Sequence, residues 1–130
     1  MRLVVADASA LVDYLLGQSD KVAAVVTDRG TDLHAPALCD VEVVAALRRA
    51  LRLGLIDEPR AAEALQDHLD LPLVRHGHEP LLGRMLELRE NFSAYDAAYL
   101  ALAERLGAAL LTTDQRLARA ARTVSRIPLL

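Results

Sequence analysis

The chain has 130 residues, 53% of them hydrophobic, and a formal net charge of −3. That length suits one domain, 1–130, with a core that needs no disulfide or structural metal, and the charge excludes general electrostatic capture of a polyanion, which leaves a local basic patch or bound cations. Cys39 is the only cysteine, so an intrachain disulfide and a thiolate zinc site are excluded; it reads as a small buried hydrophobe in a reducing, cytoplasmic setting.

The opening MRLVVADASALVDYLLG joins an Arg to an apolar run, but Asp7 and Asp13 interrupt it, so neither export nor membrane insertion is expected. Leu3 to Ala6 reads as a buried first strand, and Ala10, Leu11, Tyr14 and Leu15 as a helix face. A second helix is expected over Lys21 to Arg29, then a very short strand at Leu33 to Ala35 before Pro36 opens a third helix that stops at Gly54. Asp57-Glu58-Pro59 restarts a helix to about Leu69, and Leu71 to Arg75 reads as an edge strand that accommodates Pro72. Helices over His78 to Arg89 and Ser93 to Leu106 follow, then a strand at Ala108 to Leu111, a helix at Gln115 to Arg122 and a weak strand near Arg126 to Leu129. Apolar strands separated by helices imply a short, mostly parallel sheet covered by helices on both faces, an α/β/α arrangement whose ligands bind beyond the strands' carboxyl ends.

Four acids draw attention in that frame. Asp7 in VVADAS and Asp114 in LLTTDQ stand at carboxyl ends of expected strands, where capping of the next helix is the structural alternative. Asp96 in SAYDAAYLALA stands three residues after Ser93, the spacing of a capping box. Glu42 has no such explanation: it lies two turns into a helix, on a face with Leu38, Ala45 and Ala46, where an unpaired carboxylate is costly. Its best structural alternative is a partnership through solvent with Arg49, while Asp40 points off that face and reads as solvated. If the four converge, they need compensating positive charge, and all-oxygen ligation favours Mg²⁺ or Mn²⁺ over zinc. Such a site suits phosphodiester hydrolysis by activated water.

Elsewhere the signals are weaker. His76-Gly77-His78 reads as a solvated turn more readily than as a metal pinch, and His34 and His68 show no ligand spacing. Arg116 and Arg119 are spaced to touch a phosphate backbone or to form a solvated helix face. Phe92 and three tyrosines are too few for an extensive base-stacking platform.

VVADASALVDYLL, the Pro36 to Arg49 helix with its single Glu, SAYDAAYLALAERLG and LLTTDQRLARAA together resemble a PIN-domain ribonuclease of the VapC toxin type, with four motifs in family order across nearly the whole chain. The resemblance implies a three-layer PIN-like domain, a Mg²⁺- or Mn²⁺-dependent endoribonuclease, RNA as substrate and a VapB-type antitoxin as partner. It assigns the acidic, metal-holding site to Asp7, Glu42, Asp96 and Asp114 and supporting hydroxyls to Ser9 and Thr112, for which local capping and turn bonding are the alternative. Some members carry a further acidic or amide residue after the fourth acid; here Arg116 and Leu117 follow, so one metal ion or two is left open.

Apolar residues on the first helix (Leu11, Tyr14, Leu15) and the third (Val43, Val44, Leu47) exceed what one small core is expected to hold. Some of that surface is expected to receive a partner helix or a second copy in a homodimer. An Arg from the antitoxin, replacing the metal's charge, is the expected mode of inhibition. The alternatives are a PIN nuclease of RNA maturation or of DNA, a non-catalytic metal-dependent RNA-binding domain, and a phosphoacceptor receiver domain. The last needs a Lys near the end of a late strand, whereas Lys21, the only lysine, lies on an early helix.

Overall fold

The structure is a computed structural model that describes residues 1–130. Four strands, β1 (Arg2–Ala6), β2 (Thr31–Pro36), β3 (Leu73–His76) and β4 (Ala109–Leu111), form one parallel sheet in the order β3-β2-β1-β4. The helices are α1 (Ala8–Leu15), α2 (Asp20–Thr27), α3 (Leu38–Arg52), α4 (Glu58–Asp70), α5 (Leu82–Glu87), α6 (Ala94–Leu106) and α7 (Gln115–Val124). α1 packs on α2, α3 and α4, while α6 lies along β1, β2 and β4 with α5 beside it, giving the expected three layers.

The central strand β1 is apolar because it is covered on both faces: Val4, Val5 and Ala6 are fully buried. α6 is similarly enclosed, with every residue from Ala97 to Ala103 buried, and its αL cap at Gly107 turns the chain into β4. Parallel strands carry their connections from carboxyl end back to amino end, so the starts of α1 and α7 gather at one edge of the sheet.

Three local expectations are corrected. Pro36 ends β2 instead of opening α3, and pairs with His76. It lies beyond the last β1–β2 pair, Val5 with His34, where the missing N–H leaves no β1 bond unmade. The expected helix from His78 is broken into a 3₁₀ turn, Glu79–Leu81, which accommodates Pro80, followed by α5. The expected last strand is reduced to one bridge, Leu129 with Leu110, held by bonds from Leu110 N to the Pro128 carbonyl and from Leu130 N to the Leu110 carbonyl, both 2.9 Å. The supposed surplus of apolar surface on α1 and α3 is also mostly accounted for: the two helices pack together and bury Leu11, Leu15, Val43 and Leu47, leaving Val44 and Val41 outward.

Candidate active site

Asp7 follows β1 directly, and its backbone N–H donates to the Leu111 carbonyl at 3.0 Å, carrying the β1–β4 ladder one step further. This holds the residue only 5% exposed. Its Oδ1 accepts from Ser9 Oγ at 2.7 Å and from the Ala10 N–H at 2.9 Å, and its Oδ2 accepts from Thr112 Oγ1. The two hydroxyl oxygens are 3.4 Å apart, and Thr113 N donates to Ser9 Oγ at 3.3 Å. Ser9 and Thr112 thereby tie the loops after β1 and β4 to one carboxylate. The capping alternative for Asp7 is seen directly, since the same oxygen caps α1.

Asp114 repeats the arrangement after β4. Its N–H donates to Thr112 Oγ1 at 3.0 Å, and its Oδ1 caps α7 by accepting from Arg116 N and Leu117 N. Asp96 is in the first turn of α6, where its N–H is capped by Ser93 Oγ at 3.1 Å and its carboxylate accepts from Arg116. Glu42 projects from α3 and accepts a hydrogen bond from the hydroxyl of Tyr99, one turn beyond Asp96 on α6.

The electrostatics link these side chains. Burial raises the Asp7 carboxyl above its ordinary pKa, with Asp114 adding repulsion, although the three donors on Asp7 work in the other direction. Burial likewise raises Glu42, and the charges of Asp96 and Asp7 push the same way against the stabilising Tyr99 bond. The acids thus form a chain of mutual repulsion: Asp114 with Asp7, Asp7 with Glu42, Glu42 with Asp96. Arg116 closes it into a ring, its Nη2 standing 2.9 Å from Asp96 Oδ2 and 3.3 Å from Asp114 Oδ2.

Here the Arg116 guanidinium pairs with the outer acids, Asp96 and Asp114, while Arg119 is exposed. No three His, Cys, Asp or Glu side chains converge tightly enough to form a ready-made cation cage. The donor set nevertheless fits a hard cation that keeps several waters and takes only one or two carboxylates directly. Arg116 is itself an observation in favour of that fit, since a positive charge already bridges two of the acids.

Other expectations change with the geometry. Asp40 is paired with His68 and Arg75, each at 2.7 Å, instead of being merely solvated. Burial alone would raise its carboxyl, but these partners more than offset that and hold it below the usual range. His76 and His78 do not form a free turn: His76 Nε2 lies 2.8 Å from His34 Nδ1, and His78 Nε2 accepts from the Leu38 N–H at 2.9 Å, holding the start of α3. Tyr99 was given no role from the sequence; its signal was a phenol three residues after Asp96, in a helix whose other tyrosine, Tyr95, is exposed. The largest concavity, about 810 Å³, lies between the end of α6 and the C-terminal segment, at the opposite end of α6 from Asp96. None of the four acids lines it.

The PIN-domain family model matches residues 4–123. Ribonuclease VapC3 of Mycobacterium tuberculosis is 44% identical over 118 residues, covering 90% of this chain and 86% of its own length. Ribonuclease VapC12 of the same species is 39% identical over 117 residues, covering 90% and 91%. Among solved structures, PAE2754 from Pyrobaculum aerophilum superposes with a TM-score of 0.75 at 25% identity, over 98% of this chain and 83% of that one. Mycobacterium tuberculosis VapC20, described as a sarcin-ricin loop cleaving toxin, superposes with a TM-score of 0.69 at 13% identity, over 90% and 94%, a likeness of fold. With Asp7 and Asp114 at the carboxyl edge of a parallel sheet and its sequence matched over residues 4–123, the chain belongs to the PIN-domain family, among the VapC ribonucleases.

Proposed function

We propose that this protein is an endoribonuclease toxin that hydrolyses RNA at the ring formed by Asp7, Glu42, Asp96 and Asp114, with Mg²⁺ or Mn²⁺ as cofactor. The observation that carries the proposal is the ring itself: four acids in electrostatic contact, two of them destabilised as anions, with a single guanidinium drawn into the gap. A bound divalent cation supplies Lewis acidity toward a phosphodiester and toward an attacking water. Asp7 and Asp114, positioned by Thr112 and by their own helix starts, would hold the cation together with Glu42 and Asp96. With a cation bound, Arg116 would release Asp96 and Asp114, and its guanidinium would be free to donate to a phosphate oxygen.

A small VapB-type antitoxin is the proposed inhibitor, inserting an Arg where Arg116 now lies. The shallow cleft of about 210 Å³ between α3 and α4, lined by Val44, Leu47, Leu51 and Leu65, supports an apolar contact surface for that partner or for a second copy of the chain.

The test is a melting series with Mg²⁺ and Mn²⁺ alongside RNA cleavage in metal and in EDTA. Metal that binds the native state at a hundred times its Kd adds about 2.7 kcal/mol of stability. The expected results are a rising Tm and cleavage abolished by EDTA. Full cleavage in EDTA, or a Tm flat across the titration, overturns the metal-dependent mechanism; cleavage of DNA in preference to RNA overturns the substrate.

A further inference from the structure

Tyr99 is the largest fully buried side chain in the molecule, and the other buried residues of its helix are all Ala or Leu. A phenol so placed needs a partner for its hydroxyl, because burying an unbonded O–H is costly. The partner is Glu42 Oε1, 57 residues away in sequence and on a different helix. Leu or Phe would fill the space without that requirement. A tyrosine here therefore contributes something packing does not: a fixed donor aimed at one carboxylate oxygen.

We infer that Tyr99 is a positioning residue for Glu42: its hydroxyl holds the carboxylate of α3 beside Asp96 of α6, so that one rigid helix supplies both an acid of the site and the clamp for another. The inference rests on the acidic ring being the functional site.

Three observations support the direction of the effect. The donor is fixed in place, since the phenol is 2% exposed and its hydroxyl donates to Glu42 Oε1. The thiol of Cys39, one turn before Glu42, lies against the same phenol and is itself pushed up to about 12 by burial, so it brings no competing charge. The bond is also neutral. An Arg or Lys in Tyr99's place would fix Glu42 equally well but would cancel the charge a cation needs, whereas a hydroxyl orients the carboxylate and leaves its charge in place.

The test is a double-mutant cycle on the full chain, with Mn²⁺ affinity read by electron paramagnetic resonance. Tyr99→Phe is expected to weaken Mn²⁺ binding by about 10-fold, the lower end for loss of a residue supporting a ligand. In a Glu42→Gln background the same change is expected to leave Mn²⁺ affinity unmoved, because Tyr99 acts only through Glu42. Unchanged affinity in the single variant, or an equal loss in both backgrounds, overturns the inference. If Glu42→Gln itself leaves affinity unchanged, the ring as cation site has failed and this inference falls with it, a result distinct from failure of the Tyr99 step alone. Should Tyr99→Phe not fold, the unmodified chain still decides by NMR: the Glu42 carboxyl carbon and the Tyr99 hydroxyl proton are expected to shift together on Mg²⁺ titration. A Glu42 response with no Tyr99 response overturns the clamp.

Discussion

Asp7 and Glu42, the inner members of the ring, are held by neutral hydroxyls from Ser9, Thr112 and Tyr99, whereas Asp96 and Asp114, the outer members, share the guanidinium of Arg116. The difference is one of exposure and of charge. Asp7 is enclosed by two strands and two loops, and burying an ion there raises its pKa; the hydroxyls orient it without neutralising it. The outer carboxylates are partly exposed, and their counterion hangs from a side chain that is itself 64% exposed. A rigid inner pair with unspent charge and an outer pair with a detachable counterion is what a site needs if it is to fold without a cation and still accept one.

The strongest way to break this comparison is at Asp7. Asp7→Asn keeps the size and the helix cap but removes the buried charge, so RNA cleavage at saturating Mg²⁺ is expected to fall by more than about 100-fold, beyond the usual range for a supporting residue. Circular dichroism should be unchanged. A folded Asp7→Asn variant with near wild-type turnover removes Asp7 from the chemistry.

Next in size is Thr112→Val, which deletes a hydroxyl that donates to Asp7 and accepts from the Asp114 N–H. A loss of about 10-fold to 100-fold in cleavage or Mg²⁺ affinity is expected. If Ser9→Ala alone matches that loss, the two hydroxyls are equivalent and the bridging position of Thr112 carries no special weight.

Arg116→Ala separates the pairs most directly. If the guanidinium only stands in for a cation, Mn²⁺ affinity measured without RNA should rise several-fold, because the competitor is gone and two carboxylates are released. Cleavage should fall in the same variant through weaker RNA binding. Unchanged or weaker Mn²⁺ binding shows that Arg116 orients Asp96 and Asp114 as firmly as the hydroxyls orient the inner pair, and the contrast between the pairs disappears.

Legibility in the sequence divides differently, between residues explained by their own element and residues paired across helices. Asp7 and Asp114 were readable because each ends an apolar strand, and Glu42 because a carboxylate interrupts an apolar helix face. Parallel topology then gathers acids at strand ends whatever the detailed packing. Tyr99 and Arg116 were not readable in their roles, because each partner lies on another helix and the pairing depends on how the helices cross. Asp40 looked solvated for the same reason: His68 and Arg75 reach it from α4 and β3. Pro36 misled because its fixed φ and missing N–H suit the end of a strand as well as the start of a helix.

The smallest expected effect concerns the other end of α6, where Arg84 forks onto Glu104 at 2.8 and 3.1 Å. This pair resembles Arg116 with Asp96 but has no cation to admit, so it should act on stability alone. The Arg84 bonds hold the Glu104 carboxyl below its ordinary pKa, outweighing the cost of its partial burial, with Ser125 contributing a further bond. A depressed folded-state value stabilises the fold above the ordinary glutamate range, and that contribution is lost as pH falls through the folded value. Both side chains are partly exposed, so the pair is worth at most about 1 kcal/mol at neutral pH. Urea melts of wild type and Glu104→Gln should therefore differ by that amount at pH 7 and converge in acid. Asp7 and Glu42 run the opposite way in the apo protein: their raised values make the fold gain stability as pH drops from above those values toward the ordinary carboxylate range. Saturating Mg²⁺, by favouring the ionised forms, should reverse that inner-ring slope while leaving the Glu104 difference untouched. A Mg²⁺ effect on the Glu104→Gln difference would mean that the two ends of α6 are coupled, and that the acid ring cannot be treated as a local site.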